Sequence, residues 1–185
     1  ADNALFYIVK DLADDTRHLG RETAKSFGVR SRFVHFEFFR LLSDHEGLGK
    51  KGDLMALEVN MRPSGGFTPD MINFARETDV YKIWADMVAY DSTQKPVGTH
   101  HFCAFAGLRD GKDFALTPDD IIEKYDDHLK MVERMPDALA DAMGNQMYLA
   151  TFDTEEELHT FFADVTKQKE PDVSVASETA ETLES

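Results

Sequence analysis

The chain reads as short apolar runs separated by polar turns, and the period of those runs changes along it. The run Leu54-Met55-Ala56-Leu57-Glu58-Val59-Asn60-Met61-Arg62 alternates. Leu57, Val59 and Met61 fall on one side, and Glu58, Asn60 and Arg62 on the other. Period two marks a strand with one buried face. An earlier run, Arg32-Phe33-Val34-His35-Phe36-Glu37-Phe38-Phe39-Arg40-Leu41, is rich in aromatic residues and predicts a second strand. Residues 43–53 between them have turn composition throughout, so the two strands are expected to form an antiparallel hairpin. The pattern then lengthens to a helical stripe over 68–90. Pro69 sits in its first turn, and a break near Asp79 divides it.

Beyond a polar break at 91–96 the pattern predicts an α+β segment. A strand is expected over 98–107, an Asp110-Gly111 hairpin turn, and a returning strand over 113–116. Thr117-Pro118-Asp119-Asp120 has the order of a helix start, with a cap, a first-position proline and acids in the first turn. That helix is expected to run to about residue 129. Next come an extended piece over 131–135, a short helix over 136–143 ended by Gly144, and a strand over 146–152. Thr154 with Glu157 three residues on forms a capping box for a helix over 154–167. Trp84, Cys103, Met131, Met135, Met143 and Met147 are expected to fill cores. His100 and His101 are adjacent on a strand, so they face opposite sides and do not chelate together. The tail 169–185 is acidic and low in aromatics, a composition that predicts disorder unless Ser177 caps a short helix.

The polar side of the hairpin carries chemistry. Glu58 and Asn60 offer two oxygen ligands for a hard cation, and Arg62 offers a clamp for an anion. The row ends in Pro63-Ser64-Gly65-Gly66, where backbone amides can approach a ligand closely. Glu37 is a charge planted among phenylalanines. Buried alone it would cost several kcal/mol, about the desolvation penalty of an unpaired polar group. Facing Glu58 and Asn60 across a hairpin, about 5 Å away, it would share one or two magnesium ions with them.

These residues resemble the C-terminal half of an ATP-grasp ligase domain. There a helix (here 14–27) precedes a strand ending Phe-Glu-Phe (Phe36-Glu37-Phe38), and a hairpin leads to Glu-x-Asn-x-Arg (Glu58, Asn60, Arg62). The pattern is similar to biotin carboxylase and carbamoyl phosphate synthetase. The stretch Gly66-Phe67-Thr68-Pro69 is similar to the segment after the Glu-x-Asn pair in D-alanine–D-alanine ligase. The resemblance covers about residues 5–90. It implies an antiparallel sheet with flanking helices over 1–90, an appended α+β segment over 91–168, and the acidic tail. It also implies that Glu37, Glu58 and Asn60 bind magnesium (or manganese) ions bridging the phosphates of ATP. Arg62 would then stabilise the transferred phosphoryl group, and Gly65 and Gly66 would line the nucleotide site. The implied activity joins a carboxylate to an amine or similar nucleophile through an acyl phosphate. In that family the lysines and glycine-rich lid over the phosphates come from a preceding subdomain. The chain is therefore expected to be a fragment, inactive alone, of a larger ligase.

Composition narrows the partners. A net charge of −15 argues against nucleic acid and against an anionic membrane surface. The single cysteine excludes an internal disulfide and a cysteine zinc site, and fits a cytoplasmic setting. No run has the length of a membrane span. Self-association into a homo-oligomer stays open. So does a different class of function: a non-catalytic binding or assembly module that keeps the fold and works through its acidic surface.

Overall fold

The computed structural model describes residues 2–93 and 98–169. The expected tail lies outside the described residues from 170 onward. The elements run β1 (Ala4–Ile8), α1 (Asp14–Ser26), β2 (His35–Arg40), β3 (Leu54–Asn60), α2 (Thr68–Arg76), α3 (Val80–Tyr90), β4 (Phe102–Leu108), α4 (Pro118–Tyr125), β5 (Leu129–Arg134), α5 (Asp137–Met143), β6 (Gln146–Phe152) and α6 (Glu155–Thr166). This is an α+β fold with two sheets: an antiparallel four-stranded sheet in the order β1-β4-β6-β5, and a ribbon of β2 with β3. The chain separates into two compact units, one of residues 1–6 with 104–185 and one of residues 7–103.

In the first unit, β6 lies between β4 and β5, the strands that flank α4 in the chain. This is a split βαβ arrangement. The strand from the start of the chain supplies the other edge. The inner strands read as nearly unbroken apolar runs because both faces are covered. Ala104 to Ala106 of β4, and Met147 to Ala150 of β6, are fully buried. Leu158, Phe161 and Val165 of α6 and Ile121 of α4 are buried as well. Tyr125, Phe152 and Phe161 pack edge-on or tilted at centroid distances of 4.9–6.3 Å, and the His128 ring stacks on Phe152 at 4.8 Å.

Helix ends in this unit follow the sequence closely. Thr117 with Asp120, and Thr154 with Glu157, form reciprocal capping boxes. Gly144 adopts φ +89° after α5 and lies against the backbone of Gly107 in β4. A Cβ on Gly107 would fall inside the Met143 carbonyl. Arg109 ties this corner together, donating to the carbonyls of Ala140, Asp141 and Asp2.

Two expectations fail here. Residues 113–116 are not a strand; Phe114 makes only an isolated bridge to Gln168. The α4 helix ends at Tyr125, because Leu129 already belongs to β5. Of the four methionines, Met135 and Met147 are buried, whereas Met131 and Met143 are only partly so.

The second unit is wetter. Met71, Ala75, Val80 and Cys103 are its buried apolar residues, and α1 buries none. The helical stripe over 68–90 is broken where expected. Glu77 takes a left-handed φ of +47°, and Asp79 caps α3 through the Lys82 amide. Asn73 Oδ1 also accepts the Val80 amide, fixing the turn between α2 and α3. Arg76 donates to the carbonyls of Val9 and Lys10. The strand expected from residue 98 begins only at Phe102, so His100 and His101 precede it; His100 lies 3.7 Å from Asp11 and His101 3.7 Å from Glu77.

Candidate functional site

The ribbon begins with a loop that holds its own shape. Leu41 and Asp53 close residues 41–53 by a backbone hydrogen bond. Asp53 and Asp44 carboxylates accept the amides of Lys50 and Lys51. Arg40, at the end of β2, donates to both oxygens of Asp15 on α1 at 2.7 and 3.0 Å and to the Gly52 carbonyl at 2.8 Å. The Arg40 hydrogen bond, with smaller help from Thr16, holds the Asp15 carboxyl down to about 2. Two charged residues thus fix helix, strand and loop to one another.

The register between β2 and β3 decides what the polar side presents. His35 pairs with Asn60, Phe36 with Val59 and Glu37 with Glu58. Directly opposed residues share a face, and so do residues two apart on one strand. Glu37, Glu58, Asn60 and His35 therefore stand together on one face. The register then slips: Phe38 pairs with Ala56, leaving Leu57 without a partner. Leu57 is the extra residue of a β-bulge. It is 55% exposed, so the expected buried stripe of Leu57, Val59 and Met61 does not form; Met61 is exposed too. Alternation predicted a covered face, but the bulge turns Leu57 outward.

The groups on this face are under-bonded. Glu37 Oε1 lies 3.4 Å from His35 Nε2. The Glu58 side chain has no hydrogen bond or ion pair among the described residues. The Asn60 Nδ2 and His35 Nδ1 atoms are buried without a hydrogen-bond partner. A buried polar atom without a partner costs about 1–3 kcal/mol, and each such atom calls for an explanation. Two carboxylates directly opposite in an antiparallel pair also repel. His35 was not among the residues singled out from sequence. Its signal was there: it sits two before Glu37, on the same side of a strand.

Arg62 comes directly after the ribbon. Its Nη1 donates to the neighbouring Pro63 carbonyl at 2.9 Å, and no carboxylate among the described residues engages it. Arg30 and Arg32 likewise have no carboxylate partner among the described residues. They line a cavity of about 300 Å³ with Phe27, Gly28, Val29 and Met61, the residue between Asn60 and Arg62. In a chain of net charge −15, these three arginines have no acid partner among the described residues. Gly66 takes φ +60°, a conformation that suits glycine, and Gly65 faces open space.

Pro63 and Ser64 border a second, apolar cavity of about 370 Å³. Its other walls are Phe33, Val34, Pro69, Ile72, Val80 and Trp84, with Tyr81 at its edge. Trp84 is 43% exposed and stacks on Phe33 at 5.8 Å, so it is a cavity wall rather than the core residue expected.

Among the described residues no group of three or more His, Cys, Asp or Glu side chains is placed to hold a metal ion by itself. Glu37, Glu58 and Asn60 offer two carboxylates and an amide oxygen, fewer charged ligands than such a cage. Among the described residues, too, no helix is long and apolar enough to cross a membrane. No family model matches the chain. No curated protein is significantly similar to it.

Proposed function

We propose that the ribbon is the metal- and phosphate-binding half of a nucleotide site, in a protein that activates a carboxylate with ATP as ATP-grasp ligases do. One observation carries this reading: Glu37 and Glu58 oppose each other directly, on the face that also holds Asn60. Like charges directly opposite in a ribbon are destabilising, and a bound cation would relieve them. Magnesium fits because it binds through one or two carboxylates and takes its remaining ligands from water and substrate phosphates. A full protein cage is not needed. Asn60 can supply its amide oxygen to the same ion.

The arginines supply the complementary half of the chemistry. When γ-phosphate passes to a carboxylate, negative charge spreads over the phosphoryl oxygens, and catalysis lies largely in positioning and in offsetting that charge. Arg62 is close in chain to the metal ligands, and no acid among the described residues neutralises it. Its guanidinium can hold two phosphoryl oxygens at once. The resulting acyl phosphate would then be open to an amine nucleophile.

Manganese tests this, since it takes magnesium's ligands and broadens nearby nuclear resonances. In a spectrum of the labelled chain with Mn²⁺ and ATP, broadening is expected to centre on Glu37, Glu58 and Asn60. Glu58→Gln should abolish it. Broadening spread over the acidic surface, or unchanged by Glu58→Gln, would refute the assignment.

A further inference from the structure

The apolar cavity beside the Pro63–Ser64 segment has the properties of a small-molecule site. Its volume of about 370 Å³ lies in the range of ligand pockets, roughly 300–1,000 Å³. Its walls are apolar and partly aromatic. Phe33 and Trp84 stack to make one wall, and Ile72, Val80, Pro63 and Pro69 make the rest. Such a surface accepts a compact aromatic or branched aliphatic group.

Among its walls the Tyr81 hydroxyl is the group that reaches a charge. The Tyr81 hydroxyl donates to Asp70 at 3.3 Å, with the second Asp70 oxygen 3.5 Å away. A single long, shared hydrogen bond leaves the carboxylate most of its acceptor capacity. Partial burial, together with Asp70 and Asp79, holds the Tyr81 proton more tightly than usual. Of the cations in this part of the chain, Lys82 pairs with Asp86 at 2.6 Å and Arg76 donates to the carbonyls of Val9 and Lys10, while Arg62, next to the wall residue Pro63, donates to that residue's carbonyl and Arg32, next to the wall residue Phe33, has no acid partner among the described residues. Asp70 is not itself a wall, but the wall residue Tyr81 is hydrogen-bonded to it; an apolar pocket with a carboxylate one hydrogen bond behind its wall suits an ammonium group on an apolar body. The aromatic faces of Tyr81 and Trp84 favour the same charge.

We propose that this cavity binds a primary amine carrying an aromatic or branched apolar group, with the ammonium held by Asp70 beside the Tyr81 hydroxyl. Pro63 and Ser64 line the cavity and come directly after Arg62 in the chain. On the ligase reading above, the bound amine is the nucleophile that captures the acyl phosphate. In that step the ammonium first gives up one proton, the neutral nitrogen bonds to the acyl carbon, the carbon–oxygen bond to phosphate breaks, and phosphate leaves while the nitrogen loses a second proton. Amine binding itself does not depend on that reading.

Trp84 is the sole tryptophan of the chain, so its fluorescence reports on this cavity alone. The probes are 2-phenylethylamine, 2-phenylethanol and 3-phenylpropionate at neutral pH. They share an apolar body and differ in charge. We expect a saturable change with the amine at about tenfold lower concentration than with the alcohol, as a hydrogen bond to a charged group implies, and the weakest response from the carboxylate. Asp70→Asn should remove the amine's advantage and leave the alcohol's binding unchanged. Ile72→Phe, which fills the cavity, should weaken all three; Ser64→Leu at the rim serves the same purpose if Ile72→Phe does not fold. A response that fails to saturate, that ranks the three probes equally, or that survives both filling variants overturns the proposal. Because manganese broadening at Glu58 is read separately, loss of amine binding leaves the metal assignment standing, and the reverse also holds.

Discussion

The two units of this protein solve opposite problems. Around β4 and β6 the chain buries both faces of its strands. Around β2 and β3 it builds a ribbon with no fully buried residue, and places there its facing carboxylates, orphaned amide and unpaired arginines. A two-stranded sheet alone is at best marginally stable in water. The ribbon is held instead by a few polar fasteners, Arg40 to Asp15 above all, and by its structured loop. Polar groups kept out of a dry core stay free for a ligand, at the cost of local stability. The difference separates residues packed into a dry core from polar residues left at the surface of a ribbon.

Substitutions in matched pairs test that contrast most strongly. Phe161→Ala should remove about 3–5 kcal/mol by opening a cavity among Tyr125, Phe152 and Leu158. Leu57→Ala, at the exposed bulge, should change stability by about 0.5 kcal/mol or less. Gly107→Ala should cost about 2–3 kcal/mol because its methyl meets the Met143 carbonyl, whereas Gly65→Ala meets nothing. Urea denaturation measures all four. Equal effects within either pair would dissolve the contrast.

Proton titration sharpens the comparison at intermediate strength. The Asp15 carboxyl is held down to about 2 in the folded chain, so between that value and about 4 the unfolded chain binds more protons. Its contribution is complete above about pH 4 and is lost as pH falls through 2. Asp15→Asn should flatten this limb for amides of α1 and β2, read by hydrogen exchange. In the four-stranded unit the Tyr125 hydroxyl is pushed up by burial and by Asp164, to which it donates at 2.5 Å. Its contribution is present below the ordinary tyrosine range, about 10, and declines as pH rises above it. Tyr125→Phe should remove that alkaline decline while the acid limb at Asp15 persists.

The smallest effect belongs to the carboxylate pair. Without divalent metal, Glu58→Gln should raise stability by a few tenths of a kcal/mol, by relieving repulsion across the ribbon. With excess magnesium and ATP the order should reverse, because only the native chain gains from the bound ion. Thermal unfolding in the two conditions reads the crossover; no crossover would leave Glu58 an ordinary surface acid.

Sequence reasoning served the two units unequally, and the particular residues explain it. Thr117, Thr154 and Gly144 act through local geometry, so their roles were legible within a few positions of chain. The ribbon strands and the shared face of Glu37, Glu58 and Asn60 were legible too, because alternation sets the face within each strand and turn composition marks the connection between them, although the bulge at Leu57 was not. What was not legible depended on distant surroundings. Trp84 looks like core in any apolar stripe, and only the stacking partner Phe33, fifty-one residues earlier, makes it a cavity wall. The strand order β1-β4-β6-β5 joins the chain's start to its second half, and no periodicity reports that. His35 was passed over because a lone histidine among phenylalanines resembles packing until Asn60 is known to face it.

The unpaired Leu57 has a consequence for how this ribbon can change. A bulge is a one-residue phase shift between two strands that otherwise count in step. On the side toward Arg62 the ribbon shows His35 with Asn60 and Glu37 with Glu58; past Leu57 that same face continues as Phe39 with Met55. Phe39 is more than half exposed. One surface therefore reads as acid and amide at one end and as apolar at the other. Removing Leu57 would put the strands back in step while keeping Glu37 opposite Glu58. A second inserted residue beside Glu58 would instead swap the parity of everything beyond it. The ribbon's alphabet is set by its side chains, but its reading frame is set by the one residue that pairs with nothing.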